Sequence, residues 1–74
     1  MKQNWVWDPQ NLRILRKGKK LKLREFAEIC DISLSEISRI ERGLKIPTAK
    51  TIASFCSALN IEPNELFSIS TIII

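Results

Sequence analysis

The sequence contains no histidine and no tyrosine, and only two of its 74 residues are cysteines, Cys30 and Cys56. Two thiols without histidine cannot supply the ligands of a structural zinc site, so no metal or other cofactor is expected. The same gaps remove the commonest general acids and bases. The acidic residues form no paired-carboxylate cluster either, and a small enzyme is therefore rejected. Both cysteines sit on apolar stripes, beside Ile29 and Phe55. They read as reduced, buried small hydrophobes, as expected of a cytoplasmic protein, with one disulfide as the alternative. No apolar run approaches the roughly 20 residues of a membrane span. The first ten residues, MKQNWVWDPQ, lack the apolar segment of a secretory signal. There are no repeats, low-complexity tracts or linkers.

What is present is a short, basic, helix-punctuated chain. Seventy-four residues suffice for one domain with a small core. Domains of this size often gain stability from a partner subunit. Twelve basic against eight acidic residues leave a net charge of +4. Placement says more than the total, because Arg13, Arg16, Lys17, Lys19, Lys20, Lys22 and Arg24 crowd into one segment. A lopsided basic surface attracts polyanions.

Five helices are predicted. Asp8-Pro9 is an N-cap followed by Pro at the first helical position, and Leu12 and Leu15 line a helix over 9–17 that Gly18 can close in the left-handed conformation. Leu23, Phe26, Ala27 and Cys30 form the inner stripe of a second helix over 23–30, with Lys22 as a poor cap. Ser33 with Glu36 three residues on is a capping box for a third helix over 34–42, which Gly43 ends. Thr48 caps a fourth, lined by Ile52, Phe55, Cys56 and Leu59 and ended by Asn60. Glu62-Pro63 opens a short fifth helix to about Phe67. The expected fold is a small all-α bundle.

The second and third helices are joined by a very short turn, so they must cross steeply and approach closely. Ala27 is small where the approach is closest, Asp31 tolerates the positive φ of the turn, and Ile37 and Ile40 anchor the third helix from below. Over this stretch LR..R, L.LREFAE, IS...IS.IERG, P...T and AL.I.P.ELF fall in order between residues 12 and 67. In these elements the chain resembles the phage-repressor and Cro-type helix-turn-helix family. The resemblance implies a lambda-repressor-like five-helix bundle over 9–67, with an N-terminal arm at 1–8 and a C-terminal tail at 68–74. It implies a regulator that lays its third helix in the major groove of double-stranded DNA, usually as a homodimer.

Matched residue by residue, the resemblance places Leu34, Ser35 and Arg39 at base-contacting positions. A guanidinium can bond guanine O6 and N7 together, Ser35 can donate or accept, and Leu34 can lie against a thymine methyl. Against these stand plainer roles: Ser35 in the first helical turn, Leu34 as a surface residue, and Arg39 in solvent or on phosphate. Phosphate contacts are expected from Lys22, Arg24, Ser38, Arg42, Lys45, Thr48 and Lys50. Glu36 departs from the family pattern. It reads as a capping partner reaching back to the Ser33 backbone, or as an acceptor for a cytosine amino group. Lys22 and Leu23 also depart, standing where members often carry Ser or Thr and then Gln. The family match pairs Arg16 with Glu41 as a partly buried ion pair.

The two ends lie outside the match. Trp5, Val6 and Trp7, with Ile69 and the closing Ile72, Ile73 and Ile74, carry more apolar surface than a small protein leaves wet. Either both ends cover the core of their own subunit, or the isoleucine tail forms a strand that pairs with its copy across a two-fold axis. A dimer interface drawing on Trp5, Trp7, Ile72, Ile73 and Ile74 is favoured. The main functional reading is a sequence-specific DNA-binding regulator. The alternative is a protein-interaction module, such as an antitoxin with a toxin or other protein partner, supported by Glu36 and Leu23.

Overall fold

The structure is a computed structural model that describes residues 2–72. A strand β1 (Lys2–Trp7) precedes four helices: α1 (Pro9–Gly18), α2 (Leu23–Cys30), α3 (Leu34–Glu41) and α4 (Ala49–Leu59). A 3-10 turn (Pro63–Leu66) and a second strand β2 (Phe67–Ile72) follow. Two features of the expected fold are corrected. The segment after Pro63 is a single 3-10 turn and not a fifth α-helix, because Phe67 is already extended at φ −120°, ψ 153°. The molecule is also not purely helical. Its ends form a two-stranded antiparallel sheet, with Lys2 opposite Ile72 and Trp7 opposite Phe67. The β-branched tail thus pairs with the N-terminal arm of its own chain. Ile73 and Ile74, expected at a dimer interface, lie outside the described residues, and Ile72 enters here only through its backbone pairing.

All four helices end in the same way. The residue after the last turn adopts a left-handed conformation, at Lys20 (φ 59°), Asp31 (φ 57°), Gly43 (φ 78°) and Asn60 (φ 55°). The next amide donates back five residues: Leu21 to Arg16 O, Ile32 to Ala27 O, Leu44 to Arg39 O and Ile61 to Cys56 O. These bonds satisfy carbonyls that the helix ends would otherwise orphan. The position expected of Gly18 is taken by Lys20, since α1 runs through Gly18 before the chain reverses.

Leu12, Phe26, Ile37, Ile40, Phe55, Leu59 and Leu66 are fully buried and form the core. Each contributes about 1.5–3 kcal/mol through its burial. Aromatic rings carry this core out to the sheet. Phe26 stacks on Phe55 at 5.3 Å, Phe55 faces Trp7 at 6.3 Å, and Trp7 meets Phe67 edge-on at 5.8 Å. Trp7 is therefore packed against its own core, whereas Trp5 remains 59% exposed. Trp7 is held for its ring: its indole N–H is buried with no hydrogen-bond partner among the described residues, at a cost of about 1–3 kcal/mol.

Asp8 stands at the corner between β1 and α1. Its carboxylate caps α1 by accepting from Gln10 N at 3.0 Å, and it also accepts from the Ser68 hydroxyl on β2. Its own amide donates to Leu66 O at 3.1 Å. The Ser68 hydrogen bond, followed by those from the Gln10 and Asn11 amides, holds the carboxyl below its ordinary 3.8 against a smaller opposing effect of desolvation. A carboxyl lowered in the folded state stabilises the fold above its unfolded pKa, and that contribution is lost as pH falls through the folded value. Asp8→Ala is expected to lower stability at neutral pH by about 1 kcal/mol, the typical loss of a helix cap. Urea denaturation at pH 7 and below pH 4 should show the gap between wild type and variant closing with acid. A gap independent of pH would contradict the role assigned to the carboxylate.

Candidate nucleic-acid interface

The outer face of α3 is set by what holds its inner face. Ala27, 3% exposed, lets α2 and α3 pack closely, and Asp31 makes the turn between them at φ 57°, ψ 45°. Ser33, extended at ψ 151°, caps α3 by accepting from Glu36 N at 3.0 Å. Ile37 and Ile40 then enter the core with no exposed surface.

Glu41 closes the inner face and is buried beside Arg16. Arg16 Nε donates to Glu41 Oε2 at 2.5 Å and Nη2 donates to Oε1 at 3.1 Å, a two-pronged pairing that matches guanidinium to carboxylate. The third nitrogen, Nη1, donates to Leu21 O at 2.6 Å, so one side chain ties α1, the α1–α2 turn and α3 together. Arg13 adds a second clamp, not foreseen from the sequence. Its Nη2 donates to Glu41 O at 3.1 Å and its Nε lies 3.7 Å from Oε1. The signal was the one-turn spacing of Arg13 and Arg16 on α1, both of which face the same carboxylate.

With Ile37, Ile40 and Glu41 inward, helical geometry turns Ser35, Ser38, Arg39 and Arg42 to the opposite arc. Ser35 and Arg39 are exposed, Ser38 is half-buried, and Leu34 is 39% exposed at the flank. Arg42 is exposed, with Nε donating to Ser38 O at 3.4 Å. Lys22 and Arg24 are exposed at the start of α2, where Glu25 Oε1 accepts from Lys22 N at 2.8 Å and supplies the cap that lysine cannot. Leu23 turns toward the core. Lys50 is exposed near the start of α4. Thr48 Oγ1 caps that helix by accepting from Thr51 N at 3.3 Å and also bonds the Thr51 hydroxyl at 3.1 Å.

Glu36 differs from the expected capping box. Its carboxylate does not reach back to the Ser33 amide; it reaches forward to Lys45 Nζ at 3.4 Å. Lys45 lies in the loop after α3, so this pair bridges the start of the helix to the segment beyond its end. The pair leaves Lys45 partly neutralised. The residues beside it, Leu44 and Ile46, are 62% and 75% exposed and were not singled out in the sequence, where only the charges of this loop were weighed.

Burial pushes the Cys30 thiol up to about 11, and burial with the nearby charges of Glu62 and Glu65 raises Cys56 as well, so both stay protonated at neutral pH. Among the described residues no cluster of His, Cys, Asp and Glu is placed to hold a metal ion, and no helix is long and apolar enough to cross a membrane.

The sequence matches the helix-turn-helix family HTH_3 over residues 12–66. It is 36% identical over 61 residues to the uncharacterized HTH-type transcriptional regulator YazB of Bacillus subtilis (strain 168), covering 82% of this chain and 87% of that protein. The structure is similar to the restriction-modification controller protein C.AhdI from Aeromonas hydrophila (TM-score 0.76, 36% identity, 80% of this chain and 89% of that one). It is also similar to SinR, the master regulator for biofilm formation, crystallised in complex with DNA (TM-score 0.76, 28% identity, 80% and 98%).

Breaking the clamp from one side tests its importance. Glu41→Gln leaves the buried Arg16 guanidinium without its counter-charge, and a loss of about 3–5 kcal/mol in unfolding free energy is expected by urea denaturation. A loss under 1 kcal/mol would mean that the pair is not needed to seat α3.

Proposed function

The chain belongs to the HTH_3 helix-turn-helix family of transcriptional regulators, and on that premise we propose that it binds double-stranded DNA sequence-specifically. In this reading it acts in the cytoplasm as a homodimer on a pseudo-palindromic operator whose half-sites lie about one helical turn apart. It regulates by occupancy, as a repressor that denies the site to other proteins.

The observation that carries this reading is the clamped α3. A helix immobilised through Ile37, Ile40 and Glu41 presents Ser35 and Arg39 outward, with exposed cations at Lys22, Arg24, Arg42 and Lys50 on the flanking segments. Arg39 has the donors for guanine O6 and N7, Ser35 can bond a base edge or a phosphate, and Leu34 supplies apolar contact for a thymine methyl. Lys22, Arg24, Ser38, Arg42, Thr48 and Lys50 set the register on the sugar-phosphate backbone, with Lys45 held back from it by Glu36. The start of α3 adds backbone N–H groups and the positive end of a helix dipole, both favourable to phosphate.

Glu36 tunes this surface. Its carboxylate repels phosphate and occupies Lys45, which lowers affinity for any duplex regardless of sequence. Specificity gains from this, because contacts that do not read bases are weakened while those from Arg39 are not.

Two substitutions separate base reading from charge. Arg39→Ala is expected to cost about 1–3 kcal/mol on the preferred site and to relax preference at one base pair. Equal losses on every sequence would remove Arg39 from base reading. Glu36→Gln releases Lys45, so binding to all duplexes should tighten. The plot of log K against log salt should steepen by about 0.9, the increment for one added phosphate contact. An unchanged slope would show that Lys45 does not meet DNA.

A further inference from the structure

The β1–β2 ribbon has one apolar face, and only part of it is used. Strand alternation places Gln3, Trp5 and Trp7 on the same side as Phe67 and Ile69, with Trp5 directly opposite Ile69. Trp7 and Phe67 pack on the aromatic core. One step further along, Trp5 and Ile69 stay 59% and 53% exposed. The other face carries Asn4, Ser68 and Ser70 around Val6. A two-stranded ribbon is marginal on its own, and in the half of it nearer the chain ends Trp5 and Ile69 stay largely uncovered by the described residues.

That overhang opens onto two adjoining depressions. An apolar one of about 290 Å³ is lined by Trp5, Pro63, Asn64 and Phe67. The other, about 380 Å³, shares Asn64 and Phe67 and adds Asn11, Ile14, Leu15 and Glu65, with Ile14 itself 59% exposed. Glu65 is the one charged residue lining the pair, and its carboxylate already accepts from Glu62 N at 2.7 Å.

We propose that a second copy of this chain docks on this face, placing the two-fold axis beside Trp5 and Ile69 with large side chains of each protomer entering the depressions of the other. The homodimer is part of the function proposed above; the surface that makes it is what is added. Charge selects the occupant. In a two-fold interface each residue near the axis meets its own copy, so a charged face repels itself. A chain of net charge +4 with a basic α1–α2 segment meets its copy with least repulsion through a face of low charge, and among the described residues lining this one Glu65 alone is charged. Among the described residues no cation lines the two depressions, so they offer DNA no counter-charge. Size sets the strength. Trp5, Ile14 and Ile69, 59%, 59% and 53% exposed, make an apolar surface well short of the ~800 Å² that one side of a standard interface buries. The dimer is therefore concentration-dependent and is reinforced when both protomers sit on one duplex. The ribbon joins the bundle through Trp7 on Phe55 and through Phe67 O and Ser68 on Asn11 and Asp8, whereas α3 packs on α1 and α2, so dimerisation leaves the DNA-facing helix free.

Sedimentation equilibrium of the full chain across a micromolar concentration series tests this, with Trp5→Lys and Ile69→Lys as variants and circular dichroism confirming that each is folded. Wild-type mass is expected to rise toward twice that of one chain, and each variant should weaken self-association at least tenfold. Binding to a duplex with a single half-site, measured on the same samples, should be unchanged. Wild type remaining monomeric throughout, or variants that dimerise as wild type does, would overturn the proposal. Retained half-site binding in that case would leave the DNA reading standing. Loss of the dimer in the variants, with no half-site binding even by wild type, would support this interface while removing the DNA reading.

Discussion

The buried pairing of Arg16 with Glu41 decides how α3 sits. α3 spans eight residues, too few to hold a helix unaided in water, so its shape and direction come from what it packs on. Ile37 and Ile40 supply the apolar part of that seat but leave rotation and slide weakly determined. Glu41, gripped by two nitrogens of Arg16 and approached by Arg13, removes that freedom at one end of the helix. A buried ion pair adds little net stability, because desolvation offsets most of its attraction. Its value here is positional: the carboxylate has one place where both of its oxygens are satisfied. The same arginine holds the α1–α2 turn through Leu21 O. A shift of α3 would break all of these bonds at once.

A second constraint is the need to close the core at the end away from α3. Phe26, Phe55, Trp7 and Phe67 run as a line of rings from the helix-turn-helix to the ribbon. Asp8 joins the two layers by capping α1 and accepting from Ser68. α3 with the flanking cations forms one exposed surface, and the apolar end of the ribbon with the 3-10 turn forms another. Glu36 marks the boundary condition on the first surface, where too much unpaired positive charge would bind any duplex and read none.

Much of this could be read from the residues. Asp8-Pro9, Ser33 and Thr48 marked three helix starts, and Asp31, Gly43 and Asn60 three helix ends, since each signal is local and physical. Helical periodicity identified Phe26, Ile37, Ile40, Phe55 and Leu59 as inward. Of the features that were not legible, three have a clear physical reason. The tail and the arm each looked like a lone extended segment, and nothing within either one identified the other as its partner across some sixty residues. Lys20 took the left-handed position in place of Gly18 because the length of α1 is set by its packing rather than by its glycine. Glu36 had two partners within reach, the Ser33 amide behind it and Lys45 ahead, and only the path of the loop after α3 decides between them.

Everything proposed for this chain depends on α3 being a rigid reader of base edges. The most direct test is to select bound molecules from a pool of random duplexes at low ionic strength and sequence them over successive rounds. Convergence is expected on a motif of two related half-sites, centred about 10–11 base pairs apart, with a strongly preferred G·C pair in each. A pool that stays random while protein continues to retain DNA would contradict it, since binding would then rest on charge alone.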